Sequence, residues 1–141
     1  MSRLINTGSA GKDRQLLEKG ITLAIRKLAE QNDLDSTTLD LLAYISLSLV
    51  AISETIETSV AAWEKRGYWV KADRYRMEWT WADHWGKSMK QAIVDEDWAT
   101  VAKITAQVTE KLSTVKVAQQ NRLGTPWIGS YKKLVSPDQS H

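Results

Sequence analysis

Between Trp63 and Trp85 the chain places seven of its eleven Trp and Tyr side chains: Trp63, Tyr68, Trp69, Tyr75, Trp79, Trp81 and Trp85. Five cations, Lys65, Arg66, Lys71, Arg74 and Arg76, are interleaved with them. Indole and phenol rings next to ammonium and guanidinium groups support stacking and cation–π contacts. Trp, Tyr and Arg are also the types enriched at the centres of protein–protein interfaces. The same combination binds single-stranded nucleic acid by stacking on bases and neutralising phosphates. Glu64, Asp73 and Glu78 in the same stretch weigh against that second use.

Helical spacing sorts these residues. Tyr68, Ala72, Tyr75, Trp79, Ala82, Gly86, Met89 and Ile93 alternate steps of four and three, which predicts one continuous helix from about Tyr68 to Val94 with a single packing seam. A second apolar set, Met77, Trp81, Trp85 and Ala92, lies off that seam, with Arg74 and Glu78 at or between the two sets and Lys71 at the seam's edge. A helix that packs by one face has no use for the second set. Two readings stay open. In one, the set packs inside the molecule, and Arg74 and Glu78, an i,i+4 pair, form an ion pair with Arg74 over an indole, fixing register. In the other, Trp81, Trp85 and Arg74 centre a contact surface. The partner-binding candidates are therefore Lys71, Arg74, Glu78, Trp81 and Trp85, joined by Trp127 and Tyr131 near the C-terminus.

Other chemistries lack their parts. With no Cys, disulfides, thiolate metal sites and cysteine nucleophiles are excluded. A di-metal carboxylate site in a helical bundle needs two Glu-x-x-His pairs. There are only two His, His141 is the last residue, and Trp81 stands three residues before His84. Glu54 and Glu57 share a face but lie at or beyond the edge of the apolar stripe. His84 is expected on a polar face near Asp73, Thr80 and Lys87, without a nucleophile or an orienting partner. Thr7-Gly8-Ser9-Ala10-Gly11-Lys12 has the wrong spacing for a phosphate-binding loop and no Ser or Thr after its Lys, which leaves at most a weak anion site at a helix start. No catalytic, cofactor-binding or metal-ligating residue is assigned.

The elements that must position the aromatic stretch are helices. Both prolines lie at position 126 or beyond, so nothing before them breaks a helix by removing an N–H. A first amphipathic segment is predicted over 12–31 from Leu17, Ile21, Ala24 and Leu28. A turn capped by Asp35 or Ser36 leads to a second, over 37–66, which is apolar nearly all round as far as Ile52; its serines are expected to bond back to carbonyls four residues earlier. The third covers 68–94. Acids at 95–97 precede a fourth over 98–121, where the helix dipole favours them. The longest uncharged run, Leu41 to Ser53, is shorter than the ~20 residues a spanning helix needs.

Net charge is +2, but unevenly spread: residues 1–27 carry six basic and two acidic side chains, and residues 28–62 carry six acids and no Lys or Arg. The sequence thus predicts an all-α protein, an antiparallel four-helix bundle with an extended aromatic C-terminal tail. Its divisions are a flexible arm over 1–11, the bundle over 12–124 and the tail over 125–141, whose Trp127, Ile128 and Tyr131 either strap across the bundle or dock on a neighbour. The expected function is non-enzymatic association, as a homodimer or as a small subunit of a larger complex, through the Trp/Arg face of the third helix. The alternative is a nucleic-acid-binding subunit that uses the basic terminal segments and the 63–85 stretch. A cytoplasmic protein with a protein partner, no cofactor and no membrane contact is expected.

Overall fold

The computed structural model describes residues 7–136, and every regular element among them is a helix: α1 (Thr7–Leu28), α2 (Ser36–Lys65), α3 (Trp69–Glu78), α4 (Thr80–Val94), α5 (Trp98–Lys111) and α6 (Ser130–Val135). Residues 1–6 of the expected arm, and 137–141 with His141, lie outside the described residues. Helix α1 starts at Thr7, so residues 7–11 belong to a helix and not to an arm.

Helix α2 is the hub. Leu41, Ile45, Leu49, Ile52 and Val60 are fully buried, and α1, α3, α4 and α6 all pack on it, while α5 packs on α4 and touches α1. By length and composition α2 is apolar enough to cross a membrane, but here more than half of its most apolar window is covered by the rest of the chain. Its start is set by Asp35, whose extended backbone and side chain take the N-cap position and accept from the Thr38 N–H at 2.9 Å. Asp97 caps α5 in the same way, accepting from the backbone N–H and the hydroxyl of Thr100.

Close approach of the helices needs small residues at the crossings. A Cβ on Gly86 of α4 would lie 3.0 Å from Leu49 Cβ and 3.1 Å from the Val50 backbone nitrogen of α2, and neither can swing aside. At the same crossing the Ser46 hydroxyl donates to the Gly86 carbonyl at 2.8 Å, across the interface and not back along its own helix as the sequence suggested. Gly20 plays the corresponding part on α1, where an added Cβ would collide with the Tyr44 hydroxyl.

Three expectations are corrected. The single third helix is two helices, α3 and α4, joined at Trp79, whose backbone (φ −116°, ψ 8°) leaves helical geometry. The Thr80 hydroxyl donates back to the Met77 carbonyl at 3.2 Å across the break. The fourth helix ends at Lys111 instead of running to about 121. Thr114, Val115 and Val117 form a β-branched run that lowers helix propensity there. The tail, expected to be extended, contains α6. The Asp40 carboxylate of α2 accepts from the Gly129 and Tyr131 N–H groups at 3.1 and 2.9 Å, satisfying donors that a helix start leaves open. Trp127, edge-on to Tyr44 with centroids 6.4 Å apart, is buried, as is Leu134.

Three outcomes follow. Gly86→Ala gains up to about 1 kcal/mol in helix propensity but overpacks the α2–α4 crossing by about 1–3 kcal/mol, so chemical denaturation should show a net loss of stability. Asp40→Ala removes two charge-assisted hydrogen bonds and should speed amide exchange over 127–135 selectively, leaving α1 and α2 protected. The Asp35 and Asp97 carboxyls are held below the usual Asp value, Asp35 mainly by the Thr38 N–H and Asp97 mainly by the Thr100 hydroxyl. A carboxyl depressed in the native state stabilises above its unfolded value, and that stability is lost as pH falls through the native one. Thermal melts from about pH 5 to about pH 2 should therefore fall more steeply for the wild type than for the Asp35→Ser, Asp97→Ser double variant, which keeps cap oxygens that do not titrate. Glu18, pushed up by burial against the opposing pull of Arg14, works in the other direction but equally in both proteins.

Candidate interaction site on the aromatic ladder

The aromatics of the 63–85 stretch form a ladder that runs from the end of α2 through α3 into α4. Trp63 and Tyr75 meet edge-to-face at 5.0 Å between centroids, Tyr75 and Trp79 at 6.4 Å, Trp79 and Trp81 stack at 5.5 Å with planes 26° apart, and Trp81 and Trp85 meet at 5.3 Å. The break at Trp79 makes the stack possible. Residues two apart on a continuous helix point to nearly opposite sides and do not face each other. Once the backbone departs from the helix at Trp79, one ring reaches both Tyr75 behind it and Trp81 ahead.

Cations from three elements cap the ladder. The Lys71 ammonium of α3 sits 4.5 Å from the Trp63 ring centre, and the Lys111 ammonium of α5 sits 5.7 Å from that of Trp81. Arg14 of α1 lies over Tyr75 at 5.4 Å and Trp79 at 6.0 Å while donating to the Thr55 hydroxyl at 3.1 Å. Neither Arg14 nor Lys111 was singled out by the sequence. Their only signal was charge at a helix position, and their partners lie far along the chain.

The candidate residues separate into three groups. Trp81 and Trp85 are half-buried members of the ladder and Ala92 is buried, whereas Met77 of the same apolar set stays in solvent. Trp127 is buried and Tyr131 half-buried against their own chain, which removes Trp127 from the contact candidates. Lys71, Arg74 and Glu78 are exposed and, with Trp63, Val70 and Tyr75, line a shallow groove of about 430 Å³ where α3 lies along α2. Arg74 and Glu78 do not form the expected ion pair with each other. The arginine that pairs is Arg76, which meets Glu57 at 3.2 Å, Glu64 at 3.4 Å and Asp73 at 3.5 Å. Glu57 foremost, with Glu64, raises the Arg76 pKa and fixes the charge of this hub. The group is partly solvated, so it sets the register of α3 on α2 more than it stabilises the fold.

A second groove, of about 500 Å³, holds His84 with Arg76, Glu57, Asp83, Lys87, Ser53 and Ser88 between α2 and α4. Its charges are largely matched within it: Arg76 by Glu57, and Lys87 by Asp83 at 3.2 Å. The Ser53 hydroxyl lies 2.6 Å from the Val50 carbonyl of its own helix and 3.5 Å from the carboxylate of Asp83, which Lys87 already pairs. Among the described residues no three acidic or imidazole side chains converge as metal ligands would. No family model, curated protein or solved structure matches the chain.

Replacing Arg14 with Met keeps much of the volume while removing two cation–π contacts and a hydrogen bond to a fully buried hydroxyl. The expected loss is about 1–3 kcal/mol in chemical denaturation, with faster amide exchange concentrated at the α3–α4 junction. A uniform loss of protection would instead mean that Arg14 does not hold the junction.

Proposed function

We propose that this chain is a non-enzymatic association module that joins another protein chain, as a homodimer or as a small subunit, through the Trp/Arg-rich face of its third helical segment. The observation that carries this reading is the exposure of α3. The only side chain it buries is Ala72, and its outward surface keeps Val70, Lys71, Arg74, Met77 and Glu78 in solvent beside the rings of Trp63 and Tyr75. A groove floored by aromatic rings and rimmed by an unpaired Arg has the composition of an interface centre. With α3 and α4 counted as one interrupted rod, an antiparallel four-helix arrangement of α1, α2, α3–α4 and α5 is the scaffold of this reading, and the α6 tail braces it. The nucleic-acid alternative is less well supported, because most rings of the stretch stack on each other and Arg76 is already engaged by carboxylates.

The test is a photo-crosslinking side chain at position 74 of the full chain, with position 106 on the exposed side of α5 as the control, irradiated in extract and in pure solution. The expected result is one defined adduct from position 74 only, either with a second copy or with one recurring protein. Lys71→Glu combined with Glu78→Arg should weaken it at least about tenfold, as charge reversal at an interface rim does. A monomer in sedimentation with no adduct from position 74, or equal adducts from both positions, overturns the proposal.

A further inference from the structure

The end of α2 leads into a turn that overlaps the α3 groove only at Val70 and Lys71. At its C-terminus the Gly67 N–H bonds to the Glu64 carbonyl and the Tyr68 N–H to the Trp63 carbonyl, with Gly67 at φ +83° in the left-handed region that favours glycine. The chain thereby reverses and enters α3 at Trp69, and α3 runs back along α2, bringing Tyr75 to Trp63 and Arg76 to Glu57. The reversal forms one extremity of the molecule. Every residue from Lys65 to Lys71 is exposed, and a Cβ on Gly67 would meet nothing within 4 Å.

The composition of this knob is unusual for a surface turn. Tyr68, Trp69 and Val70 are consecutive and 54%, 60% and 67% exposed, and Met77, one face further along α3, is 74% exposed. The knob contains no acid between Lys65 and Ala72, and Lys65, Arg66 and Lys71 flank its apolar centre. Neither Lys65 nor Arg66 forms an ion pair with a described residue. Elsewhere the exposed apolar side chains, such as Leu16, Leu34 and Val94, stand singly and call for no explanation.

We propose that this knob is a peripheral membrane-docking tip that inserts Tyr68, Trp69 and Val70 into the headgroup region of an anionic lipid surface, with Lys65, Arg66 and Lys71 meeting lipid phosphates. Three arguments select this occupant. Trp and Tyr have amphipathic rings that settle at the membrane–water boundary. A run of cations without acids complements a negative headgroup layer. The apolar area offered, on the order of 300–400 Å², comes from three consecutive side chains at one turn and not from a broad face. These residues enclose only a shallow, open depression, and a patch of that kind suits a fluid surface that closes around it. The expectation of no membrane contact rested on the shortness of the longest uncharged run, which bears on a spanning helix and not on a surface tip. It shares Val70 and Lys71 with the α3 groove of the protein-association proposal but rests on Lys65, Arg66, Tyr68 and Trp69, which do not line that groove.

The experiment is flotation of the full chain with phosphatidylcholine vesicles, with and without phosphatidylglycerol, at about 0.1 M salt, where screening is moderate. Binding is expected only to the anionic vesicles. Combined Tyr68→Ser and Trp69→Ser should lower partition by at least about tenfold, and each of Lys65→Gln and Arg66→Gln by up to about fivefold. Leu16→Ser, an exposed apolar change elsewhere, should leave it unchanged. Circular dichroism should be the same for all these variants, since the side chains are exposed. Equal binding to neutral vesicles, no binding to either, or binding indifferent to the tip variants overturns the proposal. If vesicles are not bound and the double tip variant instead abolishes the position-74 adduct, the knob is a protein contact. If the adduct survives while vesicle binding fails, this inference alone falls.

Discussion

A thirty-residue helix that is apolar on most of its circumference must be covered on several sides, and the rest of this molecule is arranged by that requirement. Helix α2 takes α1 on one side, α4 on another, α3 along its C-terminal half and α6 near its N-terminal half. Each covering element approaches through a local adaptation. Gly86 lets α4 come close enough for a serine hydroxyl on α2 to reach its backbone, Gly20 leaves room for Tyr44, and Asp40 holds the start of α6. Polar groups on α2 thus serve to fix its neighbours. Ser46 and Asp40 both bond to backbone groups of other helices, where they specify position as well as adding stability.

The aromatic ladder solves a related problem on the flank of the hub. Indole and phenol rings bury a large apolar area but carry N–H and O–H groups, so they suit a half-buried border better than a dry core. Stacked from Trp63 to Trp85 and capped by Lys71, Arg14 and Lys111, they tie α1, α2, α3, α4 and α5 together along one surface. The side chains left in solvent are those on the opposite surface of α3 and at its turn from α2. The α3 groove and the tip next to it adjoin, sharing Val70 and Lys71 on one short helix.

Much of this was legible in the chain. The period of three and four, a cap at Asp35 or Ser36, the acids before α5 and the apolar breadth of α2 are local properties, and local spacing predicts them. The composition of the 63–85 stretch pointed to the right region. Its division into buried and exposed members was not legible, because a regular seam was extrapolated through Trp79. The pattern of a helix interrupted by one non-helical residue is nearly the pattern of a helix that continues. Trp127 was legible only as an apolar residue needing cover, and the cover turned out to be Tyr44, more than eighty residues earlier.

The sequence by itself determined that the chain is helical, where α2, α3 and α5 begin, and that rings and cations are concentrated in one stretch, since these follow from backbone propensity, capping and spacing along the chain. Only the tertiary structure decided that Ser46 bonds across to α4, that Arg76 and not Arg74 is the ion-pair hub, that Arg14 and Lys111 cap the ladder, and that Tyr68, Trp69 and Val70 stay in solvent. Each of those outcomes depends on which distant segment arrives beside a residue. That is settled by covering α2 and packing the rings, and it leaves no local mark on the spacing of the residues involved.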